Sequence, residues 1–336
     1  MTLPLAAEER WRVVQGDTLA LLPQLPDASV DAVVCDPPYG IGIENSAWDG
    51  ATIRDHARRH HGRRVPPGRA FELWTTAWST ELRRVLKPGG HMVAFGATRT
   101  AHRLTSGIED GGLEIRDMLM WIYGPGFPKS RRFPRGQATT LKPFYEPIVL
   151  ARRPLEATTL QNINCYGTGA LNIDACSIRP ADEPDVVRWP LHVVATHGAS
   201  CRPQRCVPAC PVGEVEVQRP GASRFLYITK PRRRERDAGC EHLPAQALRY
   251  LSTMTNASRR PRHNFHSTVK PIDLMRWLVR LITPDDGLVL DPFCGSGSTG
   301  IGAVLEGRRF LGLEREPSYV EIAQARIAHW EAGGDE

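Results

Sequence analysis

Asp36-Pro37-Pro38-Tyr39 ends an apolar run over residues 31–35, so a carboxylate, two prolines and a tyrosine stand at the tip of what reads as a short buried strand. Those residue types fit one demanding piece of chemistry. The exocyclic amine of adenine or cytosine is a weak nucleophile, because its lone pair is delocalised into the ring. Two acceptors that bind both of its N–H groups favour a tetrahedral nitrogen and return the lone pair for attack. Asp36 offers one acceptor. Pro37, with no N–H and a fixed φ, orients a rigid turn whose carbonyl is the other, and Pro38 completes that turn. Tyr39 offers a face on which a base taken out of a duplex can stack. The plainer alternative is that the proline pair only stops the strand and Tyr39 packs.

A second stretch, Gly287-Leu288-Val289-Leu290-Asp291-Pro292-Phe293-Cys294-Gly295-Ser296-Gly297-Ser298-Thr299-Gly300, reads as a strand, a glycine loop and a helix start. It contains GxGxxG at Gly295, Gly297 and Gly300, and Glu314 follows 19 residues after Gly295, so a dinucleotide site has to be weighed. Asp291 argues against it, since a carboxylate at the strand end would face the pyrophosphate that such a loop normally cradles. An acid there suits an amino group, and Glu314, ending the next strand, suits ribose hydroxyls. S-adenosylmethionine carries both groups and no phosphate. Cys294 has no nearby histidine base and is expected to pack, and Cys35 to face the core.

A third group is His197, Cys201, Cys206 and Cys210, within fourteen residues. Spacings of three to four residues suit a tetrahedral Cys3His zinc site on a loop with too few apolar residues to fold by packing alone. Four protein ligands leave no open position for water, so the expected role is structural. The alternative is three surface thiols and an unrelated histidine.

These residues need a scaffold. The alternation of strand-like and helix-like segments over residues 11–150, with a helix over 71–86 ending at Lys87-Pro88-Gly89-Gly90, predicts an α/β sheet with crossover helices. Periodicity fades over residues 152–262, where only 225–229 reads clearly as a strand, and α/β alternation resumes from Val269. The 336 residues suffice for a large core. No apolar run approaches the ~20 residues of a membrane span and the first residues do not read as a signal peptide, so the expectation is a cytoplasmic protein without membrane contact. Eight cysteines without secretory signs argue for free thiols or metal ligands. The net charge of +6 permits a polyanionic partner, and 38 of the 43 basic residues are arginine, which forks onto phosphates and base edges, although a coding bias toward arginine would give the same ratio. Basic runs fall at 54–69, 131–135, 230–236 and 259–262.

In combination and order, Asp36-Pro37-Pro38-Tyr39, then His266-Ser267-Thr268-Val269-Lys270-Pro271, then the loop from Asp291 to Gly297, resemble the amino-methylating DNA methyltransferases of the permuted beta class. The resemblance covers residues 11–150 and 263–330. Tyr123 to Ser130 and residues 162–173 look like the phage and prophage branch of these enzymes. It implies a Rossmann-like S-adenosylmethionine-dependent methyltransferase fold, circularly permuted, with an irregular inserted target recognition region. The catalytic half would be residues 1–151, the recognition region with its zinc module 152–262, and the cofactor half 263–336.

By that resemblance Asp291, Phe293, Gly295 and Gly297 line the methionine and adenosine pocket, and Glu314 holds the ribose. Thr268 and Lys270 hold the methionine end, and Asp17 is a further acidic cofactor contact. Ser267 departs from the family's usual proline. The expected reaction is methyl transfer to a flipped base in double-stranded DNA, adenine N6 before cytosine N4, with Asp36, Pro37, Pro38 and Tyr39 as the catalytic motif. A homodimer and a cognate restriction endonuclease remain open as partners. RNA or a glutamine amide as substrate is disfavoured by the basic insert and the motif order. The contrasting class is a non-catalytic, zinc-containing DNA-binding protein on a methyltransferase shell.

Overall fold

The computed structural model describes residues 5–6, 8–42, 47–62, 65–123, 133–139, 141, 143–178, 185, 187–198, 201, 205–207, 210–218, 226–229, 235–246 and 261–334. Residues 124–130 of the resemblance, and most of the basic runs at 230–236 and 259–262, lie outside the described residues. The first part of the chain forms β1 (Trp11–Gln15), α1 (Thr18–Leu21), β2 (Val30–Cys35), α2 (Ala51–His61), α3 (Pro67–Val85), β3 (Leu86–Phe95), α4 (Ala101–Asp110), β4 (Glu114–Ile122) and β5 (Tyr145–Arg152). The middle contributes α5 (Thr159–Tyr166), β6 (Val193–Thr196), α6 (Pro211–Gln218) and β7 (Tyr227–Thr229). The last part adds α7 (Ile272–Ile282), β8 (Leu288–Asp291), α8 (Ser298–Leu305), β9 (Arg309–Glu314) and α9 (Pro317–Glu331).

All of these strands join one nine-stranded sheet in the order β1-β9-β8-β2-β3-β5-β4-β6-β7. Every pairing is parallel except those of β5 with β3 and β4. Side-chain alternation sends successive residues to opposite faces. Ala32 and Val34 of β2 therefore pack under α7, α8 and α9, while Val33 and Cys35 pack under α2, α3 and α4. Both faces are covered, which is why β2 is buried along its whole length and is apolar at every position but Asp31. Among the described residues, no helix is long and apolar enough to cross a membrane.

Two expectations change. Lys87-Pro88-Gly89-Gly90 follows the helix as expected but makes no turn: it is carried inside β3 as a bulge, and the register with β2 jumps from Val30↔Leu86 to Ala32↔His91. The bulge lets Lys87 donate to Asp31 at 2.6 Å, and Gly89 (φ +76) is needed where a Cβ would lie 2.8 Å from the Gly169 Cα. The irregular middle is also not separate from the sheet. β6 and β7 extend it beyond β4 in parallel, and β6, with only four residues, is too short to show a period in sequence.

Candidate active site

Four acids that are scattered in the chain lie at the same edge of four neighbouring strands. Asp17 follows β1, Glu314 ends β9, Asp291 ends β8 and Asp36 follows β2. These strands are parallel neighbours in the order β1-β9-β8-β2, so their carboxyl ends open on one side. The central pairing matters most: Ala32 aligns with Val289 and Val33 with Leu290, which sets the loop after β2 beside the loop after β8 although 255 residues separate Asp36 from Asp291. Ligands of open α/β sheets bind at this kind of edge. A cleft opens there, lined by Asp17, Asp36 to Tyr39, Thr268, Lys270, Asp291 to Ser296 and Glu314. The structure thus brings together the catalytic and cofactor residues expected from sequence; Gly297 lies just behind the loop as the cap residue of α8.

The turn at Asp36 is pinned from outside. Asp49 accepts from the Gly40 amide at 2.7 Å and the Ile41 amide at 3.2 Å, and Thr100 donates to the Tyr39 carbonyl at 2.8 Å. Tyr39 is 8% exposed, its hydroxyl 2.7 Å from Asp36 and 3.0 Å from Glu146. Burial, and then the two carboxylates, push its phenol well above the usual range, so it remains a donor. A base could stack on this ring only once it is uncovered.

Lys270 lines the same cleft and reaches across it to the turn after β2. Its ammonium pairs with Asp36, approaches Glu146 at 3.5 Å and the Tyr39 hydroxyl at 3.3 Å, and stands over the Phe95 ring at 4.8 Å from its centroid. Burial alone would lower the Lys270 pKa, but the attraction of Asp36 and Glu146 outweighs it and the group is raised, hence cationic. Glu146 is raised by burial against the opposing pull of Lys270. Sequence reasoning missed Glu146. It opens an antiparallel strand, so its N-terminal end meets the carboxyl ends of the parallel ones, and that reversal leaves no local mark.

The glycine loop is held by side chains from three directions. Asp291 accepts from the Phe293 amide at 2.9 Å and the Thr299 hydroxyl at 2.5 Å, and Glu314 accepts from the amides of Gly295 and Glu316, each at 2.8 Å. Arg326 of α9, fully buried, donates to the Ser296 carbonyl at 2.5 Å and the Glu235 carbonyl at 3.2 Å. Phe293 docks on α3 against Trp74 and Trp78, with ring centroids 5.5 and 5.6 Å apart. Gly295 (φ +52) faces His266, whose Nε2 would lie 2.8 Å from a Cβ there. Burial, and then the positive charges of Arg236, Lys270 and Arg326, push His266 down to about 3, so it is neutral. Arg236, at the end of the basic run over 230–236, turns inward and donates to the carbonyls of Asn264 and His266. Cys35 and Cys294 are buried, as expected of packing residues.

Burial pushes Asp291 up to about 7, reinforced by the charges of Asp36 and Glu314, and its hydrogen bonds come from a neutral hydroxyl and an amide. Burial raises Glu314 as well. Two desolvated carboxyls bonded to neutral donors favour a ligand that brings positive charge to one and hydroxyls to the other.

Comparison with known proteins agrees with this geometry. Type II methyltransferase M.HindIII of Haemophilus influenzae is 24% identical over 94% of this chain and 94% of its own. Type II methyltransferase M2.MboI of Moraxella bovis is 43% identical over 61 residues, 18% of this chain and 22% of its own. The solved PvuII DNA methyltransferase, described as cytosine-N4-specific, shares the fold with a TM-score of 0.58 at 15% identity, covering 95% of this chain and 86% of that one. The pattern of the N6 and N4 DNA methylase family matches residues 30–325, spanning both loops of the cleft and the strands that carry them, and the chain belongs to that DNA methylase family.

Proposed function

We propose that this DNA methyltransferase moves a methyl group from S-adenosylmethionine to the exocyclic amine of a base drawn out of double-stranded DNA, adenine N6 in preference to cytosine N4. The observation that carries the reading is the parallel pairing of β2 with β8, which sets Asp36 and Asp291 at one cleft. S-adenosylmethionine, when bound, supplies an electrophilic methyl group on a sulfonium. Asp291 would take its amino group, Glu314 its ribose hydroxyls and Phe293 a wall of the adenosine pocket; Thr268 would face the methionine end, and Asp17 closes the cleft from β1.

Asp36 would accept one amine N–H and a turn carbonyl from Pro37 the other, with Pro38 keeping the turn rigid. An ionised carboxylate has about four acceptor sites, so Lys270 and Tyr39, one on each oxygen, leave room for the base. We assign Lys270 to balancing Asp36 and Glu146. As nitrogen bonds the methyl carbon and the carbon–sulfur bond breaks, Asp36 offsets the positive charge on nitrogen, and the released proton leaves past it to solvent. Holding donor and acceptor in line is the main contribution.

The order of the segments supports the permuted beta class, with catalytic half 1–151, recognition region 152–262 and cofactor half 263–336, and the sequences of 123–130 and 162–173 support its phage-type branch. A type II role, by likeness to M.HindIII, would add a restriction endonuclease of the same recognition sequence as partner, and self-pairing into a homodimer is read from the same preparation by light scattering.

Sequencing that detects modified bases, on DNA from cells expressing the protein, tests the reading. N6-methyladenine at one sequence context, absent with Asp36→Ala, is expected. N4-methylcytosine would move the assignment to cytosine. Full methylation by Asp36→Ala, or no modified base from a folded protein that binds DNA and cofactor, would overturn it.

A further inference from the structure

We infer that His197, Cys201, Cys206 and Cys210 form a structural zinc centre that ties the end of β6, near the edge of the sheet, to the start of α6. The inference stands on ligand geometry and not on the methyltransferase reading. The Nδ1 atom of His197 is 3.5 Å from the Cys206 Sγ and 3.6 Å from the Cys210 Sγ, and the four ligand atoms all lie within 4.8 Å of one another. Zinc bonds of about 2.3 Å to sulfur and about 2.0–2.1 Å to nitrogen, at tetrahedral angles, require sulfur–nitrogen edges of about 3.5 Å. The two edges from His197 to Cys206 and Cys210 match that value.

Two further features are those of a built site. The Val207 amide donates to the Cys201 Sγ at 3.4 Å, the kind of backbone bond that stabilises a metal-bound thiolate. Gly213 comes so close that a Cβ there would lie 2.7 Å from the Cys206 Cβ. Packing cannot hold this region alone, since its buried cluster among the described residues is Ala195, Cys201, Cys210 and Val212, half of it the ligands themselves. His197 follows the last residue of β6 and Cys210 precedes the first of α6. One ion therefore ties together the two ends of the connection between β6 and α6, and β6 pairs with β7, the outermost strand.

The test uses the full chain purified without chelators. Elemental analysis is expected to find one zinc per chain, released when the thiols are modified. Replacement by cobalt is expected to give the intense visible bands of a tetrahedral thiolate site. Cys206→Ala/Cys210→Ala should lose the metal, and proteolysis at 197–218 should become faster. His197→Cys should keep one ion per chain and shift the cobalt spectrum toward that of a four-thiolate site, which shows ligation even if the alanine variant folds poorly. Cys165→Ala, outside the cluster, should change nothing. Protein without zinc that takes up no cobalt, metal retained in full by the double alanine variant, or a disulfide among Cys201, Cys206 and Cys210 in the isolated protein would overturn the inference.

Discussion

At the scale of single residues, the cleft is a set of buried charges whose partners decide what each can do. Glu146 shares Lys270 with Asp36 and receives Tyr39, so its proposed role is positioning. Glu146→Gln keeps the shape and removes the charge. Turnover should fall about ten- to a hundredfold, the equivalent of about 1–3 kcal/mol for a charge-assisted hydrogen bond, with cofactor affinity unchanged. Equal losses in turnover and cofactor binding would instead mark it as part of the cofactor pocket. Asp291 makes a different prediction. Its folded pKa, raised to about 7, exceeds that of an unfolded aspartate, so its stabilising proton is fully present at low pH and lost as pH climbs from about 4 through 7. Unfolding of the ligand-free protein should show this decline, on the order of 4 kcal/mol, and Asp291→Asn should flatten it. A ligand amino group selects the carboxylate, so cofactor affinity should rise toward pH 7 and level off above. Calorimetry in buffers of different ionisation enthalpy would expose the linked proton, and its absence would count against contact with Asp291.

At the scale of elements, the loop between β8 and α8 is set by backbone shape as much as by side chains. Gly297 begins the helix at φ +77, and a Cβ there would meet the Ala323 Cα of α9 at 3.0 Å. Gly297→Ala combines left-handed strain of about 1–2 kcal/mol with that contact, and should weaken cofactor binding roughly tenfold while leaving DNA binding intact. Titration of cofactor and of DNA against the same variant separates the two. The strands and long helices that the cleft depends on were legible, because β2, β8 and β9 are dominated by apolar residues and α3 repeats its aromatics along one face. Less was legible in α2, whose run of arginines and histidines reads as a charge cluster although Ile53, His56 and Ala57 are buried. α5 was hidden among Asn, Gly and Cys, though Thr158 and Gln161 form a capping box at its start.

At the scale of the whole molecule, the loops that line the cleft hang from strands at both ends of the chain joined in one sheet, so a ligand in the cleft should stabilise everything together. Saturation at a hundred times Kd should add about 2.7 kcal/mol to unfolding and move a single thermal transition upward. Two transitions, only one of them shifted, would show that the halves unfold independently. The order of the amino acids alone set the chemistry on offer: an acid before two prolines, an acid before a glycine loop, an acid at the end of the next strand, and a histidine and three cysteines at metal-ligand spacing. Those are local patterns, each written in a few adjacent residues. Folding made Asp36 and Asp291 neighbours at one cleft, paired Lys270 with Asp36, added Glu146 to their network and carried the middle of the chain into the sheet. Strand pairing, strand direction and burial are relations between distant segments, and no short stretch of chain encodes which carboxylate a buried ammonium will meet.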